Sequence, residues 1–234
     1  MLLEELRKEV LEANLELVRR GLVLYTFGNV SGISREQGLV VIKPSGIPYE
    51  QMRPEHLVIT DLEGKKVEGE LRPSSDLPTH LVLYKAFADI GGVTHTHSEY
   101  ATAWAQARLP IPCFGTTHAD YFHGSIPVTG VITDKEIVSE YEKNTGHAIV
   151  RAFKDLDYAA VPAVLVANHG PFAWGPDAAT SAHNAVIMEA VARTAYLTRS
   201  INPGAATAGQ ALQDKHHSRK HGSNAYYGQE KASK

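Results

Sequence analysis

Two histidines one residue apart, His95 and His97, have a spacing that could support metal-dependent chemistry. They follow Val93 and Thr94, β-branched residues that favour a buried strand. Alternate side chains of a strand point to the same face, so both imidazoles would project together, about 7 Å apart along the backbone. Two side chains at that separation can bind one metal ion. Buried histidines also bond to backbone groups, so the pair alone leaves both interpretations open.

A third histidine favours the metal interpretation. His169 follows the apolar segment AVLVA and precedes Gly170, where a side chain can emerge at the edge of a sheet. Three imidazoles suffice for a catalytic zinc site that keeps a position open for substrate. Asp76, in the first turn of the helix that leads into the His95 strand, is a candidate for a fourth ligand. The histidines interpreted as surface or packing residues are His56, His80, His147 and His183.

Strand and helix patterns alternate around these residues. An amphipathic helix is predicted before Gly21, and Thr133 with Glu136 predicts a capping box that begins another helix. The alternation predicts one α/β domain over residues 1–234, with a sheet covered by helices and one core. The strands are predicted in 38–46, 56–67, 93–97 and 163–170, and further helices in 74–92 and 176–201.

Composition excludes several classes of function. A net charge of -3 over 234 residues, with acidic and basic residues interspersed, gives no basic surface for nucleic acid. The sequence has no run of 18 apolar residues and no secretory signal pattern, so we expect no membrane partner and a cytoplasmic location. The single cysteine, Cys113, cannot form an internal disulfide, which agrees with that location.

Seven segments spread over nearly the whole chain carry a family resemblance. They are TFGNVSGI (26–33), VIKPSGIPY (41–49), RPSSDLPTHLVLY (72–84), THTHSEYATAWA (94–105), GTTHADYF (115–122), VANHGPFAWG (166–175) and HHSRKHGSNAYYGQ (216–229). Together they resemble the class II aldolase and epimerase superfamily, and most closely its sugar-phosphate 4-epimerases; the last segment distinguishes epimerases from aldolases of the same fold. The resemblance implies an α/β sandwich with a central, mostly antiparallel sheet covered by helices on both sides, assembled as a homotetramer with active sites between subunits.

The resemblance also implies roles for individual residues. The metal ligands would be His95, His97 and His169 with Asp76 as the fourth, a position where the aldolase relatives carry glutamate. The expected cofactor is Zn²⁺, with Mn²⁺ or Co²⁺ as alternatives, and no organic cofactor is expected. The residues that match the phosphate-binding segments are Gly28, Asn29, Lys43, Ser45, Gly46, Ser74 and Ser75.

The implied reaction interconverts two phosphorylated ketopentoses, L-ribulose 5-phosphate and D-xylulose 5-phosphate, in the catabolism of L-arabinose and other pentoses. The C3–C4 bond would break and re-form with C4 inverted. Asp120 and Tyr227 would act as the acid/base pair, with Tyr227 and the tail 203–234 completing the site of an adjacent subunit. The alternatives are a class II sugar-phosphate aldolase, a related phospho-sugar 4-epimerase, or a non-enzymatic relative, which would lack the metal histidines present here.

Overall fold

Seven strands form one sheet in the part of the chain that this computed structural model describes, residues 1–221 and 225–226. The strands are β1 (Asn29–Ser34), β2 (Leu39–Ile42), β3 (Val58–Asp61), β4 (Lys66–Glu68), β5 (Gly92–His95), β6 (Ala163–Val166) and β7 (Gly170–Gly175). Their order across the sheet is β4-β3-β2-β1-β5-β7-β6, and every neighbouring pair is antiparallel. The central strands are buried almost throughout, as expected for a sheet covered on both faces.

Helices pack on both faces of this sheet. They are α1 (Glu4–Arg19), α2 (Leu77–Ala86), α3 (Glu99–Ala107), α4 (Thr116–Ala119), α5 (Asp134–Val138), α6 (Tyr141–Ala152), α7 (Ala178–Ile201) and α8 (Gln210–His221). Two short 3₁₀ helices, Tyr49–Gln51 and Pro54–His56, connect β2 to β3. Among the described helices, none has both the length and the apolar character needed to cross a membrane.

The alternation of side chains along β1 and β5 separates the two helical layers. The Thr94 hydroxyl lies 2.7 Å from the Ser181 hydroxyl of α7, so this face of β5 is turned toward α7. The Ser31 hydroxyl, by contrast, is 2.7 Å from Nδ1 of His80 in α2. Because residues next to each other in a strand point to opposite faces, α1 and α7 cover one face and α2 the other. The predicted sandwich with a central antiparallel sheet is confirmed.

Strand register brings three segments together at one end of the sheet. Asn29, the first residue of β1, pairs with His95, the last residue of β5. His95 in turn pairs with Phe172 of β7. The loops that enter and leave these strands therefore meet at this end, where a side chain can face a cavity rather than the core.

Two of the strands predicted from the sequence are shorter in the structure. β5 ends at His95, so His97 lies in the turn before α3 and not in the strand. The segment 163–170, predicted as one strand, is β6 followed by a tight turn and the start of β7. Asn168 makes this turn with φ of 63°, a left-handed conformation that asparagine adopts more readily than most residues.

The helices also differ from prediction mainly in their ends. The helix predicted over 74–92 is limited to Leu77–Ala86, because Phe87 has an extended backbone. The predicted helix over 176–201 begins at Ala178, where Asp177 caps the first turn. The capping box of Thr133 and Glu136 is confirmed, since each residue bonds to the backbone of the other.

Candidate functional site

The three histidines predicted to bind metal meet at the end of the sheet. His95 ends β5, His97 follows two residues later, and His169 is the last residue of the turn before β7. One ring nitrogen of each lies within 4.8 Å of the others, and Nε2 of His95 is 3.0 Å from Nε2 of His97. Two nitrogens bound at about 2.0–2.1 Å to one tetrahedral zinc would be about 3.3 Å apart. The spacing of the imidazoles therefore fits a single cation.

Hydrogen bonding fixes the orientation of the His95 ring. Its Nδ1–H donates to the carbonyl oxygen of Pro171 over 2.9 Å, and the ring stacks on Phe172 with centroids 4.1 Å apart. Because a carbonyl can only accept, the neutral ring carries its proton on Nδ1 and has a lone pair on Nε2. A bond of this kind from the second ring nitrogen is typical of histidines that bind metals.

Burial favours the uncharged form of the other two rings. Burial first, and the neighbouring imidazoles of His95 and His97 second, lower the pKa of His169 to about 3. The pKa of His97 is lowered by burial first and by the His95 ring second. A metal ion binds neutral imidazole, so these two rings need not lose a proton to bind one near neutral pH.

Asp76, the predicted fourth ligand, lies beside the histidines but outside the close group of ring nitrogens. It precedes α2, and its Oδ2 accepts a hydrogen bond of 2.6 Å from Nδ2 of Asn29. Burial alone would raise the pKa of its carboxyl, but the imidazoles of His95 and His80 and the Asn29 amide outweigh burial and lower it. Its role as a ligand stays a prediction.

A cavity of about 450 Å³ opens next to these side chains, and we call it the histidine cavity. Its walls include His97, His169, Asp76 and every residue predicted to bind phosphate, from Gly28 to Ser75. The structure therefore joins the predicted metal group and the predicted phosphate segments in one space. The lining residues that the sequence did not indicate are Thr26, Phe27, Pro44, Tyr141 and Glu142.

Backbone packing explains the glycine at the mouth of this cavity. Gly28 has φ of 78°, and a Cβ there would lie 2.9 Å from the Val23 side chain and 3.0 Å from the His95 carbonyl oxygen. The next residue, Asn29, donates from Nδ2 to the Ser74 hydroxyl over 3.1 Å. Its Oδ1 is buried and has no hydrogen-bond partner within the described part of the chain.

The Lys43 side chain links the loop around Thr26 to the segment that follows β2. The side chain is only 2% exposed, and its ammonium donates to the Thr26 carbonyl over 3.1 Å. The ammonium also lies 4.8 Å from the centroid of the Tyr49 ring, whose hydroxyl donates to the Gly28 carbonyl over 2.9 Å. Burial lowers the pKa of Lys43 to about 8. Lys43 thus organises the walls of the cavity as well as lining it.

The predicted catalytic residue Asp120 belongs to a different group, which we call the Asp120 cluster: Asp120, His216, Arg219 and His221. The Asp120 carboxylate accepts two hydrogen bonds from the Arg219 guanidinium, of 2.8 and 2.6 Å, and one of 3.0 Å from Nδ1 of His216. Nε2 of His221 donates to the Asp120 carbonyl over 2.9 Å. Burial alone would raise the pKa of Asp120, but Arg219 and His216 outweigh burial and lower it.

The Asp120 cluster is separate from the histidine cavity. Asp120 follows α4 and the other three residues come from α8, and none of the four lines the cavity. The second predicted acid/base residue, Tyr227, lies outside the described residues. The described part of one chain therefore joins the metal and phosphate groups, but not the predicted acid/base residues.

His80 lies closer to the site than the sequence suggested. It is fully buried in α2, and its ring packs edge-on against Phe172, the residue that stacks on His95. Burial lowers its pKa to about 3. The interpretation as a packing residue is confirmed, but the sequence around a buried helical histidine does not indicate which residues it packs against. His80 supports the Phe172 ring, and through it the His95 ring, from the side of α2.

Comparison with protein families gives a match over most of the chain. The family described as "Class II Aldolase and Adducin N-terminal domain" matches residues 8–196. Two curated relatives, from Salmonella paratyphi A and Salmonella typhi, are each 53% identical over 227 residues. The matched region covers 97% of this chain and all of each relative, and both are named "L-ribulose-5-phosphate 4-epimerase UlaF".

Solved structures with the same architecture include a protein named "L-fuculose 1-phosphate aldolase". It is 26% identical, with a TM-score of 0.80 over 94% of this chain and 97% of that chain. A putative aldolase/epimerase/decarboxylase from Klebsiella pneumoniae, YgbL, is 24% identical, with a TM-score of 0.71 over 90% of this chain and 97% of that chain. This second likeness concerns the fold alone.

Proposed function

Because the chain belongs to the class II aldolase and adducin N-terminal domain family, we propose that it is a metal-dependent epimerase. Its substrates are L-ribulose 5-phosphate and D-xylulose 5-phosphate. The observation that carries the proposal is a group of three convergent imidazoles, two of which, those of His97 and His169, line one cavity together with the phosphate segments. The 53% identity with relatives named as 4-epimerases of L-ribulose 5-phosphate supports the choice of substrate.

The reaction inverts one carbon, C4 of the ketopentose phosphate. The hydrogen on C4 is not acidic, because no carbonyl is adjacent to it. Breaking the C3–C4 bond instead leaves the electron pair on C3, in the enediolate of dihydroxyacetone, while the C4 hydroxyl loses its proton and becomes the aldehyde of glycolaldehyde phosphate. The aldehyde rotates, the bond re-forms on its other face, and the C4 oxygen regains a proton.

The donors of the histidine cavity suit a divalent cation, which we take to be zinc, with manganese or cobalt as alternatives. Held by His95, His97, His169 and Asp76, a bound cation would stabilise the negative charge on the substrate oxygens as a Lewis acid, by several kcal/mol. The chain itself keeps the His95 ring oriented through Pro171. No organic cofactor is needed for this chemistry.

The phosphate of the substrate binds in the walls that Ser45, Gly46, Ser74 and Ser75 provide. Serine hydroxyls and backbone N–H groups can donate to the phosphate oxygens. The two serines at 74 and 75 also precede α2, whose N-terminal N–H groups favour negative charge. The Lys43 ammonium adds a positive charge to the same wall.

Inversion needs two acid/base groups, one on each side of the C4 oxygen. Asp120 and Tyr227 supply them, and both act in the histidine cavity of a neighbouring subunit of a homotetramer. The separation of the Asp120 cluster from the cavity within one chain supports this arrangement. The tail 203–234, which carries α8, is thus the part of the single domain that completes a neighbour's site.

The setting of the reaction follows from its chemistry. Phosphorylated ketopentoses arise in the catabolism of L-arabinose and other pentoses, and we place the enzyme in the cytoplasm. The one cysteine, Cys113, is buried and free, in keeping with a protein that needs no oxidising compartment.

The proposal is tested by incubating the purified protein and Zn²⁺ with L-ribulose 5-phosphate and following the products by NMR. We expect D-xylulose 5-phosphate to appear until the two ketoses reach equilibrium. Accumulation of dihydroxyacetone and glycolaldehyde phosphate without D-xylulose 5-phosphate would show an aldolase instead. If neither product forms with Zn²⁺, Mn²⁺ or Co²⁺, the proposed function is wrong.

A further inference from the structure

His95 ends β5, whereas His169, like His97, lies outside the strands. His169 is at the end of a tight turn, next to Asn168 with its left-handed backbone. Gly170 follows it, where a Cβ would lie 2.9 Å from the Thr96 carbonyl oxygen. The backbone is therefore fixed by close packing, but no ladder of strand hydrogen bonds fixes the direction of the His169 side chain.

Tyr141 contacts the ring of His169 at Nδ1. The Tyr141 hydroxyl oxygen is 3.3 Å from Nδ1 of His169, and the two rings are nearly parallel, with an interplanar angle of 27°. This places the hydroxyl where the Pro171 carbonyl stands for His95, at the Nδ1 side of the ring. An Nδ1–H that donates to Tyr141 leaves Nε2 with its lone pair for a cation.

Tyr141 is itself tied to the helix that follows Asp76. It is the first residue of α6, and the carbonyl of the next residue, Glu142, accepts a hydrogen bond from the Thr79 hydroxyl of α2. Further along the two helices Gly146 approaches Val82 so closely that a Cβ would lie 2.7 Å from its side chain. The contacts between α6 and α2 therefore fix the backbone at Tyr141, whose phenol ring lies between α2 and the turn that carries His169.

We propose that Tyr141 is a positioning residue for the metal site, which accepts a hydrogen bond from Nδ1 of His169 and aims Nε2 at the cation. The inference rests on the proposed function, because it assigns His169 as a metal ligand. Tyr141 also lines the histidine cavity, so the inference is tested on zinc affinity in the absence of substrate, where its effect reaches the cation through His169.

The test uses Tyr141→Phe, which keeps the aromatic ring and removes only the hydroxyl. Tyr158→Phe is the matched control, since its hydroxyl bonds to Asp89, 3.4 Å away and outside the histidine cavity. Metal-free proteins are titrated with Zn²⁺ against a chromophoric chelator, and their melting temperatures are recorded. Loss of a partner of this kind typically weakens metal affinity by about 10- to 100-fold. We expect a loss in this range for Tyr141→Phe, wild-type affinity for Tyr158→Phe, and unchanged melting of both metal-free variants.

Two results would overturn the inference. One is wild-type zinc affinity in Tyr141→Phe. The other is a loss of affinity accompanied by an equally large loss of metal-free stability, which would make Tyr141 a packing residue only. His97→Asn in the same titration separates this inference from the proposed function. If His97→Asn loses zinc and Tyr141→Phe does not, only the inference fails; if neither loses zinc, the proposed metal site fails as well.

Discussion

The histidine cavity is built from strand ends and tight turns, whereas the Asp120 cluster is built from one short helix and α8. In the cavity, imidazole rings and one carboxylate are positioned by backbone geometry, as at Gly28 and Asn168. In the cluster, a carboxylate is held by an ion pair with Arg219 and a hydrogen bond from His216. The sheet therefore shapes the histidine cavity within one chain, whereas the packing of α4 against α8 places the Asp120 cluster outside that cavity.

The largest expected effect comes from breaking the cavity at its metal ligands. In His97→Asn we expect zinc affinity to fall and epimerase turnover to drop by roughly 10⁴-fold, since a Lewis acid contributes several kcal/mol. His147→Asn, a change at an exposed histidine of α6, is the control and should keep wild-type zinc content and rate. Metal analysis beside a kinetic assay checks both. Unchanged zinc content in His97→Asn would refute the ligand assignment.

Removing the carboxylate of the Asp120 cluster should separate chemistry from metal binding. In Asp120→Asn we expect turnover to fall by about 10³-fold, within the range typical of a lost acid/base group, with zinc content unchanged. Tyr227→Phe should behave in the same way. The measurement is kcat beside metal content for each variant. Full 4-epimerase turnover in either variant would remove that residue from the mechanism.

Substitution of a residue proposed to bind the substrate phosphate should have a smaller and more selective effect. A hydrogen bond to a charged group contributes about 1.5–3 kcal/mol, so Ser75→Ala should raise KM for L-ribulose 5-phosphate about 10-fold or more. Turnover of unphosphorylated L-ribulose, measured in the same assay at high concentration, is the internal control, and we expect Ser75→Ala to leave it unchanged. An equal loss on both ketoses would mean that Ser75 supports the cavity and does not recognise the phosphate.

Acid should affect the two regions over different ranges of pH. His80 behind the cavity has a pKa of about 3 in the fold against an ordinary 6.5, so unfolding takes up protons between these values. Its contribution to stability is full above pH 6.5 and is lost progressively as the pH falls toward 3. The lowered pKa of Asp120 acts only in stronger acid: its contribution is full above the ordinary 3.8 and lost below it.

The measurement is the free energy of unfolding of the metal-free protein from pH 7 to pH 4, compared with His80→Gln. The wild type should lose more stability than the variant over this interval, while Asp120→Asn should run parallel to the wild type. Parallel curves for wild type and His80→Gln would show that burial of a neutral His80 does not contribute to the loss of stability in acid.

The sequence predicted correctly which histidines meet at the end of the sheet. The spacing of His95 and His97 and the position of His169 after an apolar segment predicted three rings that the structure brings together. The boundaries were wrong where turn chemistry decides them. The turn at Asn168 follows the apolar segment AVLVA, and nothing in its periodicity marks the asparagine as the residue that reverses the chain.

Relations between distant helices could not be predicted. The contact of Asp120 with Arg219 joins residues far apart in sequence, and it depends on the packing of α4 against α8. The same holds for Tyr141, whose place beside His169 follows from the packing of α6 on α2. A tyrosine at the start of a helix has no local pattern that distinguishes it from a surface residue, so tertiary packing alone reveals it.

The most direct test of the account mixes subunits of two inactive variants, His97→Asn and Asp120→Asn. If the cavity of one subunit takes Asp120 from its neighbour, random mixing leaves about one quarter of the sites with both groups intact, and activity should recover to about that level. Mass spectrometry of the intact assemblies verifies that the subunits have mixed. Mixed assemblies that stay as inactive as either parent would contradict a site shared between subunits.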